Sequence, residues 1–237
     1  MDVNFILVTV FNGRFFMNQV KTNKISKYAL SLIAVAALSC SSLSFGMDIF
    51  QAIEKKDIKR AEEILKDKSF DVNKADKDGR TPLYWACYKN YPEIVKLLLD
   101  KGAEKSVNKA DKDGGTPLCC ACCNNNLEIV TLLLANGAKE SINKVDKLFG
   151  RTPLYWACYK NYLEIVKLLL DKGAEKSVNI ADNYGWTPLN WACYINNLEL
   201  VTLLLASGAD VDQKSLNKAQ GKPEILKLLK ERSSIKK

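Results

Sequence analysis

Cys119-Cys120-Ala121-Cys122-Cys123 is the densest run of reactive side chains in this 237-residue chain. On a helix, spacings of three and four bring Cys119, Cys122 and Cys123 toward one face, so a zinc or redox site is conceivable. Paired zinc cysteines normally sit on turns with a second pair elsewhere, and no second pair follows. Cys87, Cys122, Cys158 and Cys193 recur at one position of a repeated segment, where cysteine serves as a small buried hydrophobe. Thiols one repeat apart would stand roughly 10 Å apart, the spacing of packed helices, and a disulfide needs Cα atoms within about 7 Å. The chain contains no histidine, which removes Ser-His-Asp and Cys-His catalysis. No P-loop and no GxGxxG is present. Glu93, Glu128, Glu164 and Glu199 form one column of the repeat, placed to favour helix N-termini. No catalytic residue, metal or cofactor is assigned, and the expectation is a protein that is not an enzyme.

The repeat itself is explicit. Arg80-Thr81-Pro82-Leu83-Tyr84-Trp85-Ala86-Cys87 returns at Arg151 to Cys158, with weaker copies from Thr116 and Thr187. The four threonines fall 35, 36 and 35 residues apart. A fixed period of this size marks one supersecondary unit stacked on its own copies. Each unit opens with a polar turn such as Asp76-Lys77-Asp78-Gly79. Thr81 is placed to cap a helix, with Pro82 at its first position. A short helix is expected over Pro82 to Lys89, a break at Asn90-Tyr91, and a second helix over Pro92 to Lys101. Ile94, Val95, Leu97, Leu98 and Leu99 give that second helix a wide apolar stripe. Gly102 supplies its left-handed cap.

Thr-Pro-Leu-x-x-Ala, Glu-Ile-Val-x-Leu-Leu-Leu and Gly-Ala, recurring together, resemble the ankyrin repeat over roughly residues 47–231. The resemblance implies an all-α solenoid of stacked helix-turn-helix units joined by hairpin-like turns. Its expected divisions are an N-terminal extension at 1–46, a capping repeat at 47–75, repeats at 76–110, 111–145, 146–181 and 182–212, and a C-terminal cap and tail at 213–237. These are termed here the first to sixth units, from 47 onward. Lys218, Lys222, Lys227, Lys230, Glu231 and Arg232 suit the polar outer face of an end cap. The family's His after Thr-Pro-Leu, which ties turns to helices, is replaced by Tyr84, Cys119, Tyr155 and Asn190. Tyrosine and asparagine can still reach a partner, whereas Cys119 can do so only weakly, so the third unit is the doubtful one. The loops 102–108, 137–143 and 173–179 are long and should bulge. The turn Asp146–Thr152 carries one extra residue. The second and fourth units differ only at Pro92 and Leu163 between Arg80–Asn108 and Arg151–Asn179, as if a two-unit block had been duplicated.

The resemblance also implies where a partner would bind: a concave groove lined by turn tips and first helices. The expected protein-binding surface comprises Arg80, Tyr88, Lys89, Leu148, Phe149, Arg151, Tyr159, Lys160, Tyr184, Trp186, Tyr194 and Ile195. Exposed Tyr, Trp and Arg are the types enriched at binding hot spots. For Phe149 and Trp186 the alternative is packing against their own turns. Trp85, Trp156 and Trp191 are expected in the core between units.

Formal net charge is +8. The first 46 residues hold four basic groups (Arg14, Lys21, Lys24, Lys27) and one acid (Asp2), so the repeats keep a mild excess spread among acids. That lacks the focused basic stripe of a nucleic-acid binder, and no nucleic-acid partner is expected. Lys21, Lys24 and Lys27 precede the apolar run Ala29–Leu38, and small residues follow to Gly46. This is the layout of a secretory signal peptide with cleavage between Gly46 and Met47, leaving no stable membrane span. Lipidation at Cys40 and an uncleaved anchor are the alternatives. Residues 1–16 are out of place ahead of a leader, and a start at Met17 would give one of ordinary length. The pattern resembles exported bacterial ankyrin-repeat proteins. The expectation is a monomer binding an unidentified host protein, or else acting in the periplasm or envelope as a scaffold or inhibitor. Seven thiols left after export favour a reducing destination or rapid burial.

Overall fold

The structure, a computed structural model, describes residues 4–11, 14–21 and 48–235. The chain divides into two compact units, 1–47 and 48–237. In the first, β1 (Asn4–Phe11) pairs antiparallel with β2 (Arg14–Lys21), from Asn4 opposite Lys21 to Phe11 opposite Arg14. This hairpin was not anticipated by the sequence reading, and Met17 lies within β2, opposite Val8. The apolar segment 29–38, Cys40 and the Gly46–Met47 junction lie outside the described residues.

In the compact unit 48–237 every regular element among the described residues is a helix. Its helices come in pairs: α1 (Ile49–Glu54) with α2 (Ile58–Ile64), α3 (Pro82–Tyr88) with α4 (Pro92–Asp100), and α5 (Pro117–Cys123) with α6 (Leu127–Ala135). Then follow α7 (Pro153–Tyr159) with α8 (Leu163–Asp171), α9 (Pro188–Ile195) with α10 (Leu198–Ala206), and α11 (Gln213–Lys218) with α12 (Pro223–Ile235). First helices pack on first helices along the chain, and the second helices form a parallel row. The stacked helix-turn-helix solenoid expected from the period is therefore present.

Local chemistry explains the repetition. The hydroxyls of Thr81, Thr116, Thr152 and Thr187 each accept the backbone N–H three residues on, at 3.1–3.3 Å, which satisfies one orphan donor of each first helix. Asn90, Asn125, Asn161 and Asn196 take positive φ between the paired helices, a conformation asparagine tolerates better than most residues. Ile94, Val95, Leu98, Ile129, Val130, Leu133, Ile165, Val166, Leu169, Leu200, Val201 and Leu204 are fully or almost fully buried. The interior between the two rows is thus continuous along the array. Cys87, Cys122, Cys158 and Cys193 lie in it with no exposed surface.

Two local expectations are corrected. The long loops do not simply bulge. Each folds into a 3-10 turn, at Ala103–Ser106, Ala138–Ser141 and Ala174–Ser177, with its serine buried. Asn73, Asn108, Asn143 and Asn179 then donate side-chain N–H groups to the carbonyls of Gly102, Gly137, Gly173 and Gly208 in the following units. These side-chain bonds form a second polar ladder along the stack. At the C-terminus, Lys218 and Lys222 do not form a polar outer face. The Lys222 ammonium donates to the carbonyls of Cys193 and Tyr194 at 2.6 and 2.9 Å. Lys218 lies 4.9 Å from the Trp186 ring and 5.6 Å from Tyr194. Both are drawn inward because α9 ends with free carbonyls and aromatic rings, which attract ammonium groups.

Candidate protein-binding face

Each unit begins with an aspartate that organises its own turn. Asp182 Oδ1 accepts the backbone N–H groups of Tyr184 and Trp186 at 3.0 and 2.9 Å, and Asp76 and Asp111 hold the same pattern. The second carboxylate oxygen is left for a neighbour. In the fifth unit that neighbour is Tyr155 of the fourth, whose hydroxyl donates to Asp182 Oδ2 at 2.5 Å and accepts the Trp191 indole N–H at 2.7 Å. Arg151 completes the cluster, 3.6 Å from the same carboxylate. Burial opposes ionisation of Asp182, but the Tyr155 hydroxyl, the two backbone N–H groups and Arg151 outweigh it and hold the carboxyl below its ordinary range. Burial and the Asp182 bond push the Tyr155 phenol up to about 12.

The same link is built at the next junction. Asn190 donates to Asp212 at 2.8 Å, and Tyr84 lines one cleft with Asp111 and Cys120. Tyr155 and Asn190 thereby do the tying expected of them. Between the third and fourth units the residue is Cys119. Among the described residues, the Asp146 carboxylate accepts only from the backbone N–H groups of Phe149 (2.6 Å) and Arg151 (3.3 Å) in its own turn. The third unit lacks the tie, as the sequence suggested.

The turn tips and first helices of the fourth and fifth units form a run of aromatic side chains. Tyr159 meets Trp191 edge-on at 4.6 Å, Trp186 stacks on Trp191 at 4.3 Å, and Tyr194 meets both edge-on. Arg151 lies over Phe149 and Trp156 at 4.5 and 4.7 Å. Tyr184, Leu148 and Tyr194 are the most open of these, at 68%, 57% and 56% exposure, with Phe149 and Tyr159 near 38% and 37%. Lys160 is exposed beside Tyr159, and Ile195 is half-buried at the end of α9. Tyr88, Arg80 and Lys89 form a separate cluster on the second unit, where Arg80 and Lys89 flank Trp85.

Two placements differ from expectation. Trp85, Trp156 and Trp191 are not fully buried in the core, although Trp85 packs against it and Trp191 lies between units against Tyr155 and Tyr159. They are half-buried on the first-helix face, each edge-on to the tyrosine three residues later. The indole N–H groups of Trp85 and Trp191 need acceptors, found at Asp76 Oδ2 (2.9 Å) and Tyr155, and such acceptors lie near the surface. Trp186 is half-buried rather than freely displayed, because it stacks on Trp191 and lies under Lys214 and Lys218. The Trp column and the two lysines therefore join the face. Asp76 ahead of Trp85 was the available signal for the Trp column. Nothing in the repeat pattern pointed to the lysines.

The cysteines show little reactive character. Burial raises every described thiol, to about 11 at Cys119 and about 12 at Cys193, and well above the ordinary thiol value at Cys87 and Cys122. Among the described residues the seven cysteines are free, and no three His, Cys, Asp or Glu side chains are grouped to hold a metal ion. None of the described helices is long and apolar enough to cross a membrane.

Residues 49–146 and 138–215 match the family model described as ankyrin repeats (3 copies). The chain is also similar to several curated proteins over short stretches. It is 40% identical over 52 residues to an acyl-CoA-binding domain-containing protein 6 of Bos taurus, covering 22% of this chain and 18% of that protein. It is 35% identical over 63 residues to palmitoyltransferase akr1 of Aspergillus oryzae, covering 27% and 8%. With a putative ankyrin repeat protein of fowlpox virus it shares 57% identity over 37 residues, 16% and 8% of the two chains. The chain thus spans less than a fifth of the length of each of these relatives.

Proposed function

The chain belongs to the ankyrin-repeat family, whose repeats are protein–protein interaction modules, and from that premise we propose that it is a non-enzymatic binder whose protein partner docks across the turn tips and first helices of the fourth and fifth units. The observation that carries this is the aromatic run from Trp156 through Tyr159, Trp191 and Tyr194 to Trp186, with Leu148, Phe149 and Tyr184 exposed at the adjoining tips. Exposed apolar groups gathered in one patch usually mark an interface, and rigid rings bind with little loss of side-chain freedom.

The finer reading is that of an exported bacterial protein acting on a host target. It is supported by the basic, apolar and small-residue order of residues 21–46 and by free thiols suited to a reducing compartment. A periplasmic or envelope scaffold is the alternative, and fractionation between host cytosol and periplasm separates the two.

Affinity capture with the full chain, followed by mass spectrometry, identifies the partner. Alanine at Phe149, Tyr159 or Tyr194 is expected to weaken its binding by roughly 1–3 kcal/mol each with helical content unchanged. Lys96 and Lys167, on the second helices, are expected to be silent. Loss of binding through Lys96 or Lys167, with the aromatic variants unaffected, would reject this face.

A further inference from the structure

The first-helix face holds a cleft of about 320 Å³ in the third unit. Tyr84 and Tyr88 wall it on one side, Phe149 and Trp156 on the other, with Cys119, Cys120 and Cys123 between them. Its origin is a substitution of a whole layer. At the positions where the second unit has Arg80, Tyr84 and Trp85, and the fourth has Arg151, Tyr155 and Trp156, the third has Gly115, Cys119 and Cys120. Three large side chains are replaced by small ones.

In the fourth unit the missing layer has a defined task. Arg151 stacks over Phe149, Tyr155 and Trp156 at 4.5, 5.3 and 4.7 Å and stands 3.6 Å from Asp182 of the next unit. Arg80 likewise lies 5.4 Å from Trp85 and 3.8 Å from Asp111 of its next unit. The third unit sends neither an arginine nor a tyrosine to Asp146, which receives only its own backbone N–H groups. Nor does Trp156 reach it as Trp85 reaches Asp76. Asp146 lies on the cleft wall with Asp113 and Asp111. Arg80 on that wall is matched by Asp111 and Asp78, while Arg151 covers the Phe149 and Trp156 rings and, with Lys160, acts on Cys123. Among the described residues Asp146 is left as a carboxylate of the wall that receives no side-chain donor.

We propose, resting on the protein-binding reading above, that this cleft takes an arginine side chain of the partner, its guanidinium lying against the Tyr88 ring and donating to Asp146. The guest takes up the role that Arg80 and Arg151 play within their own units. Arginine suits the place better than lysine, because a planar guanidinium stacks on rings and donates along its edge at the same time. The volume is at the lower end for a ligand site, which fits one side chain rather than a cofactor.

The test is an NMR titration of the full chain with Nα-acetyl-arginine amide and, in parallel, Nα-acetyl-citrulline amide, which keeps the shape and loses the charge. Saturable shifts at Phe149, Arg151 and the Trp156 indole are expected with a roughly millimolar dissociation constant, at least tenfold weaker for citrulline. Asp146→Asn should abolish the preference. The triple variant Gly115→Arg, Cys119→Tyr, Cys120→Trp, which makes the third layer a copy of its neighbours, should abolish binding altogether. Equal binding of the two amides, or an unchanged preference in Asp146→Asn, overturns the proposal even if the triple variant does not fold. Peptides selected on the full chain separate the two levels. If they lose affinity in Tyr159→Ala but carry no arginine preference, the cleft assignment fails and the docking face stands. If they ignore Tyr159→Ala as well, the face itself is wrong.

Discussion

Tyr155 of the fourth unit and Asp182 of the fifth are joined by a 2.5 Å hydrogen bond across a unit boundary, and both side chains are buried. The phenol oxygen accepts the Trp191 indole at the same time. Tyr155→Phe removes both interactions and leaves the indole donor and the carboxylate short of partners. It is expected to cost about 1–3 kcal/mol, measured by urea denaturation. Cys119→Tyr, which offers Asp146 the equivalent hydroxyl, is expected to shift stability the opposite way.

Acid should weaken the array through Asp76 and Asp182. Burial works against both charges, yet hydrogen bonds from Trp85 and Tyr155 and from turn backbone bring both carboxyls below 3.8. The folded state therefore binds fewer protons than the unfolded state just below that value. The stabilisation is complete above pH 3.8 and is lost as pH falls through the lowered folded values. Asp182→Asn removes its share at neutral pH, roughly 1.5–3 kcal/mol for bonds to a charged group, and should flatten the acid limb of the stability–pH curve.

Leu98 and Leu169 occupy equivalent, fully buried positions in α4 and α8. Truncation of either to alanine should cost about 2–5 kcal/mol in chemical denaturation. Their flanking sequences are nearly identical, so a large difference between the two variants would report the neighbouring units rather than the helix itself. Units in a stacked array draw stability from the interfaces they share.

The described thiols should react slowly with a disulfide reagent at neutral pH, because the thiolate is the nucleophile and burial keeps all seven protonated. Cys123 is the exception to watch. It is only half-buried, and Lys160 and Arg151 draw its pKa back down. Peptide mapping after brief labelling should find Cys123 modified ahead of Cys87, Cys122 and Cys158. Preferential labelling of those three would mean that the array opens readily.

The repeating parts of this architecture could be read from the residues, and the exceptions could not. Thr-Pro pairs, Asn breaks and Gly caps act on the backbone within a few positions, so Thr81, Asn90 and Gly102 announce their roles locally. The tie at Tyr155 was legible because only a side chain with a polar tip can replace the family's histidine. The half-exposed Trp column was not, since the same indole packs in a core or on a face, depending on where its acceptor lies. Lys218 and Lys222 look like end-cap cations in sequence. Their inward course depends on the C-terminus of α9 and the Trp186 ring, which come close only once the units stack. The cleft depends on three small residues facing rings of the units on either side, and its apolar lining gives no periodic signal.

The extra residue in the turn Asp146–Arg151 changes how that turn closes. Gly150 donates its N–H to the carbonyl four residues back, whereas Gly79, Gly114 and Gly185 close over three. The second and fourth units carry almost the same sequence, so a nascent copy cannot be told from its twin by its own residues. A chain emerging with twin segments can align one copy against the other's neighbours and trap a misregistered fold. The odd turn ahead of the fourth unit and the small-residue layer of the third are what distinguish the surroundings of the two copies. A chain in which both are restored to the common pattern is therefore expected to refold with more misregistered product.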